Sequence, residues 1–480
     1  MTAAVLITIV TSLLPWLLGA TIALHVTYRA SPLPGLAAVA MGIGGFLGYL
    51  LLALALRQAD LRGISLLSSG FQVSLALVTM ALLGLLIPVL RKEPAISVRP
   101  GWWLLAICLP WICWLATAHL QTPTQGWDTL QRWGLDASRF LDHATSSSEQ
   151  PWEQPWKKHP ITLYLVMAWS AWAGTWTDAG LGALLPWLMC LASLVLIVAG
   201  YAWHCTYSPA ATTVAVLYLL SLPLLENHVI LAGYGELFLA TALAGSSALV
   251  AMGIARPSKT LFLLGMLVAL SAVFLKNTGA AYALLPIAAW LTVTALARGP
   301  WFFMSLLAMV AAGLLAGWHL GIEAELGPVK LAFNPESKVL LFGGRVLELD
   351  FPPLTTYLST EFTSRVVNQS FQLGLLLFVI CWFALPQARR TEEGLWKPYL
   401  FSLLSCTAVF VLMALSLFTD VALRYATPGA DTGHSRFSLP AFVLVPLVLA
   451  NLFRILTLRA RLDEGKRSAP LCDTDNPVAQ

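Results

Sequence analysis

Apolar runs of about 20 residues recur along almost the whole chain, the length needed to cross a hydrocarbon core of about 30 Å. Lipid offers no partner to backbone N–H and C=O groups, so such runs must close their own hydrogen bonds as helices. The weak alternating pattern of a transmembrane barrel is absent. The length of 480 residues would accommodate two or three soluble domains, but 58% of the residues are apolar and only 11% charged. The expected fold class is therefore an all-α polytopic membrane protein.

The runs fall near 4–26, 34–56, 66–90 and 102–120, then 180–201, 209–226, 236–255, 259–275, 278–297 and 300–320, and finally 367–386, 398–419 and 437–455. That gives about 13 transmembrane helices. The run Ile161–Gly174 is too short for a span and rich in Trp and Tyr, which predicts an interfacial or partly inserted helix. Counted this way, Arg29, Arg91, Lys92, Arg99, Arg256, Lys259, Arg298, Arg389, Arg390, Lys397 and the basic tail all share one side. The positive-inside rule makes that side cytoplasmic, with the C-terminus on it. Counting 161–174 as a full span would send Arg256, Lys259 and Arg298 to the other side, so the charges themselves favour the shorter reading.

The expected organisation is residues 1–101 as N-terminal spans and 102–320 as a transmembrane core containing the outer loop 121–179. Residues 321–366 form an outer loop, read as a small hairpin or short helix that could act as a lid. C-terminal spans at 367–457 and a polar, disordered cytoplasmic tail at 458–480 complete the chain. The seven cysteines show no paired ligand spacing, so neither a disulfide framework nor a zinc site is expected. The first run lacks a basic region before it, so no cleaved signal peptide is expected. No Walker loop and no HExxH motif is present, which argues against ATP-driven transport and against a zinc peptidase.

One polar island interrupts the first half, Gln121–Pro160, which contains Asp128, Asp136, Asp142, Arg132, Arg139, Lys157, Lys158, His143 and His159. Trp127, Trp133, Trp152 and Trp156 lie within it. Further polar residues sit at the outer ends of spans: Glu236 after Gly-Tyr-Gly, Lys276 in a Lys-Asn-Thr-Gly turn, Arg424, and His434 with Arg436 before the last span. One charge at a span end is commonly an anchor, but several of both signs on one face suggest chemistry. A carboxylate there can act as general base towards a hydroxyl, and cations beside it can hold a phosphate leaving group. Those are the requirements for sugar transfer from a polyprenyl-phosphate carrier, and tryptophans suit both the interface and stacking on sugar faces.

The order of these elements resembles the GT-C class of integral membrane glycosyltransferases, the superfamily that includes the protein mannosyltransferases and aminoarabinose transferases. The resemblance rests on GWDTLQRW with Asp128, KKHPITLYL, GYGELFLA with Glu236, FLKNTGAAY with Lys276, and HSRFSLP, over residues 102–455. It implies an inverting transferase that moves a sugar from a polyprenyl-phosphate donor to a lipid, glycan or protein acceptor. The active side would be the periplasmic face of a bacterial inner membrane, with the bilayer and no nucleic acid as partner. By that resemblance Asp128 is the base, with Asp136 and Asp142 competing for the role, and Glu236 is a second acidic group. Trp127, Lys157, Lys158, His159, Lys276, Arg424, His434 and Arg436 would bind substrate. A divalent cation is compatible with this set but not demanded by it, and no cofactor is implied. The chain departs from the class in having Thr129 after Asp128, Glu236 where Asp is common, and three additional spans before Trp102. Two alternatives remain: a transporter or flippase of an anionic lipid-linked substrate, which would place ionisable groups mid-span, and an enzyme like the O-antigen ligases or polymerases.

Overall fold

The computed structural model describes residues 3–30, 33–92, 101–121, 134–143, 162–174, 181–276, 278–326, 329–337, 339–342, 345–348, 369–389, 394–416 and 433–468. The first block of helices is α1 (Ala3–Ala30), α2 (Leu36–Asp60), α3 (Ser69–Lys92), α4 (Gly101–Gln121), a short α5 (Gly134–His143) and α6 (Thr162–Ala173). The second runs through α7 (Leu184–Thr206), α8 (Pro209–Leu220), α9 (Pro223–Ile230), α10 (Glu236–Ala255), α11 (Lys259–Ser271), α12 (Gly279–Arg298) and α13 (Pro300–Leu320). Strands β1 (Ile322–Leu326), β2 (Val329–Asn334), β3 (Val339–Phe342) and β4 (Arg345–Glu348) precede α14 (Gln369–Arg389), α15 (Trp396–Ser416) and α16 (Gly433–Ser468). Among the described residues, eight helices are long and apolar enough to cross a membrane, and six shorter apolar helices accompany them.

Local chemistry sets the helix starts. Proline occupies the first turn of α8, α9 and α13, where its missing N–H costs nothing. Ser208 and Ser258 cap α8 and α11 by accepting from the backbone N–H groups of Ala211 and Leu261.

The N-terminal pair α1–α2 belongs to the core. A Cβ on Gly19 would lie 2.0 Å from the Gly44 carbonyl oxygen, and one on Gly48 only 1.9 Å from that of Pro15. In lipid, helices associate through such close backbone approach because no hydrophobic drive pulls them together. The pair is then tied to later helices by Trp16, which donates to Ser193 Oγ at 2.8 Å, and by the Ser12 and Ser170 hydroxyls at 3.2 Å. Centrally placed α10 is buried along nearly its whole length, whereas α3 and α13 bury little and turn their apolar side chains outward. Asn451 of α16 donates to Tyr201 Oη of α7 at 2.7 Å and to Ser402 Oγ of α15 at 3.1 Å, a polar node that holds three helices together.

One detail narrows an expectation drawn from sequence and another differs from it. Every residue of α6 except Trp172 is buried, and the helix packs against α1, α2 and α5, so it is enclosed by other helices of the protein. Its sequence is apolar on all sides and offers no polar face for an interface. The interfacial pattern belongs to α5, where Ala137 and Phe140 are buried while Leu135 and Arg139 face out. Second, segment 322–348 is neither a single hairpin nor a helix but a four-stranded antiparallel meander in the order β1-β2-β3-β4. Its register pairs Glu325 with Lys330 and Ala324 with Leu331. The all-α expectation is therefore amended by one small sheet.

Candidate functional site

Glu236 and Lys276 come from separate polar turns and meet. The Gly-Tyr-Gly turn, with Gly233 at φ 113°, brings Glu236 in as the first residue of α10. Trp187 of α7 fixes that turn by donating to the Tyr234 carbonyl at 3.0 Å, and its ring packs edge-on to Phe238 at 4.9 Å. Lys276 follows a single 3₁₀ turn, Ala272–Phe274, at the end of α11. The chain reverses there so tightly that a Cβ on Gly279 would lie 1.8 Å from the Ala272 carbonyl oxygen. Lys276 Nζ donates to Glu236 Oε1 at 2.5 Å, with side chains only 8% and 1% exposed. Burial at this level means that each charge depends on the other. Removing one partner of such a pair typically costs about 3–5 kcal/mol.

The first turn of α6 joins three parts of this end. Successive residues on a helix point about 100° apart, and Thr162, Leu163 and Tyr164 use that spread. Thr162 Oγ1 donates to the Phe274 carbonyl at 2.5 Å, bracing the Lys276 turn. Leu163 fills the space above Gly235, where a Cβ would lie 2.8 Å from its Cδ1. Tyr164 meets Phe140 of α5 at 6.5 Å and lies within electrostatic reach of Arg57, Asp60 and Asp136. The chain that ends in Lys157-Lys158-His159-Pro160 therefore leads straight into the brace of the ion pair.

Two histidines that the motifs do not mark complete this end. His119, in the last turn of α4, is buried, and its Nδ1 lies 2.7 Å from the Ile230 carbonyl. His228 of α9 is also buried, with its ring edge-on to Tyr234 at 5.6 Å. The available signal is weak: His119 closes an apolar run, and Glu226-Asn227-His228 is a polar triplet between two such runs.

The remaining candidates divide as follows. Asp136 pairs with Arg139 at 3.7 Å in the first turn of α5 and shares the surroundings of Tyr164 with Arg57 and Asp60. His434 and Arg436 stand in the first turn of α16, with side chains outside the described residues. Trp127, Asp128, Lys157, Lys158, His159 and Arg424 lie outside the described residues altogether, as do positions 349–368. Among the described residues no group of three or more His, Cys, Asp or Glu side chains is arranged to hold a metal ion.

Helices of this length and polarity, enclosing a buried ion pair at one end, define a polytopic α-helical membrane protein. Compared with known proteins, the chain matches no family model, no curated protein and no solved structure.

Proposed function

We propose that this protein transfers a sugar from a polyprenyl-phosphate donor to an acceptor at the periplasmic face of a bacterial inner membrane, on a GT-C-like framework of about 13 spans. One observation carries the reading: Glu236 and Lys276, from motifs 40 residues apart, form a buried ion pair braced by the helix that follows Lys157-Lys158-His159-Pro160. Asp128 takes the proton of the acceptor hydroxyl as its oxygen attacks the anomeric carbon. The anomeric C–O bond breaks with inversion, and the polyprenyl phosphate leaves onto Lys157, Lys158, Lys276 and Arg436. Trp127 stacks on the sugar, while His159, His434 and Arg424 complete the polar lining. A carrier is less well supported, because the ion pair lies where α10 begins and not at mid-span.

The test uses polyprenyl phosphate, the product shared by every donor of this class. The full chain in lipid nanodiscs should bind it and should bind the matching polyprenol at least ten-fold more weakly. No preference for the phosphate would refute the reading. A folded Asp128→Asn protein that still binds polyprenyl phosphate should lose transfer; full activity in that protein would remove Asp128 from the role of base.

A further inference from the structure

Helix α5 is held by one face, and that face packs against α6. Ala137 and Phe140, a helical turn apart and so on the same side, are 0% and 6% exposed. Leu135 and Arg139 of the opposite side are exposed. Asp136 meets the positive end of the helix dipole in the first turn and pairs with Arg139 at 3.7 Å. Those two effects do not keep 10 residues helical in water, because isolated helices shorter than about 12–15 residues are marginal. The small docked face is what keeps α5 a helix, and an element held by so few buried side chains belongs to the least stable part of a fold.

The place where it docks is the turn that braces the ion pair. Phe140 meets the ring of Tyr164 at 6.5 Å, and Tyr164 shares the first turn of α6 with Thr162 and Leu163. Thr162 donates to the Phe274 carbonyl, two residues before Lys276, and Leu163 covers Gly235, the residue before Glu236. All three side chains are buried. One helical turn therefore touches α5, the Lys276 turn and the Glu236 turn at once. Its residues share one backbone, and surroundings packed this closely pass a displacement on instead of absorbing it.

We propose that α5 is a strap that sets the Glu236–Lys276 pair. Docked on Tyr164, it holds the first turn of α6 where Thr162 and Leu163 brace both polar turns. When α5 leaves, that turn shifts, the brace slackens and Lys276 is released from Glu236. Coupling of this kind is reciprocal, so weakening the pair also loosens α5. Whatever draws on residues 121–160 then acts on Lys276 through α5. The device rests on contacts between described residues and stands whether or not the chain transfers a sugar.

Hydrogen exchange of the full chain in lipid nanodiscs, read by mass spectrometry, tests this. The amides of Leu275, Gly279, Ala281 and Tyr282, which close the Lys276 turn, report on one arm, and that of Leu239, bonded to the Gly235 carbonyl, on the other. Phe140→Ala should raise exchange about five-fold or more over 274–282 and 231–239, as well as in α5 itself. Leu135→Ala, on the exposed side of the same helix, should change neither turn, and Phe140→Leu, which keeps the apolar bulk, should stay close to the unaltered protein. Combined with Thr162→Val, Phe140→Ala should add little over 274–282 and still act on 231–239 through Leu163. In the other direction, E236Q/K276M should raise exchange over 134–143. Unchanged exchange at the centres of α10 and α16 identifies the variants that fold; if Phe140→Ala does not, Phe140→Val takes its place. A change in Phe140→Ala confined to α5 and α6 would overturn the proposal, as would undisturbed exchange of α5 in E236Q/K276M.

Discussion

Replacing Lys276 by methionine keeps the length of the side chain and removes its charge, which makes it a direct test of how this end of the bundle is held together. Glu236 is then left 1% exposed without its partner at 2.5 Å. Two routes are open to it. A buried carboxylate that stays charged after losing its partner costs about 3–5 kcal/mol. Alternatively it takes up a proton, which for a carboxyl of reference acidity near pKa 4.3 costs about 3.7 kcal/mol at pH 7 and only about 1 kcal/mol at pH 5. The cheaper route sets the loss, so Lys276→Met should cost about 3–4 kcal/mol at pH 7 and about 1 kcal/mol at pH 5. The sign follows from proton uptake by the folded variant: lowering the pH favours its native state. The wild-type pair, which needs no such proton, should show no matching gain. Equilibrium unfolding in mixed micelles at the two pH values measures both losses. Adding Glu236→Gln should restore most of the stability at pH 7, because two neutral groups of similar shape leave no unpaired charge; the double-mutant cycle gives the coupling. A loss below about 0.5 kcal/mol at pH 7, the scale of an ordinary surface change, would refute the reasoning. So would a loss that does not shrink at pH 5.

Three further outcomes can be measured. Thr162→Val removes the 2.5 Å bond to the Phe274 carbonyl and should cost about 1 kcal/mol in unfolding assays, while lowering the affinity for polyprenyl phosphate several-fold if the brace positions Lys276. Gly48→Val forces a branched side chain into a seam where a Cβ alone would lie 1.9 Å from the Pro15 carbonyl oxygen; overpacking of this kind should cost about 3 kcal/mol or more, seen as poor recovery of folded protein. Asn451→Leu strips the node linking α7, α15 and α16 and should cost about 1–2 kcal/mol, the upper range for interhelical hydrogen bonds in a bilayer, read as a lower unfolding midpoint.

What is legible in the chain follows from where polar groups contrast with their surroundings. Glu236 and Lys276 stand out because a charge at the end of an apolar run is conspicuous in one dimension. Their meeting is not legible there. It depends on the 3₁₀ turn at Ala272–Phe274, which has no distinctive pattern in the chain, and on how closely the Lys-Asn-Thr-Gly turn brings Gly279 against Ala272. The burial of α6 is the opposite case, because two signals are present and they conflict. Its 12 residues are too few to span, which points to an interfacial or partly inserted helix, yet a helix apolar on every face has nothing to offer water or headgroups. The missing polar face outweighs the short length. The meander is half visible, since Lys-Val-Leu-Leu-Phe-Gly-Gly-Arg suggests a turn between apolar strands, but the pairing of four strands is a non-local choice. His119, His204 and His228 are hidden most completely. A histidine among apolar residues gives no periodic signal, and its meaning comes from one carbonyl or one ring contributed by another segment: Ile230 for His119, Pro34 for His204, Tyr234 for His228. In a membrane protein of this kind the sequence therefore marks the ends of spans well and their interior poorly. The Glu236–Lys276 pair can be sought from motifs, whereas the contacts of His119 with Ile230 and of His204 with Pro34 exist only once the helices are packed together.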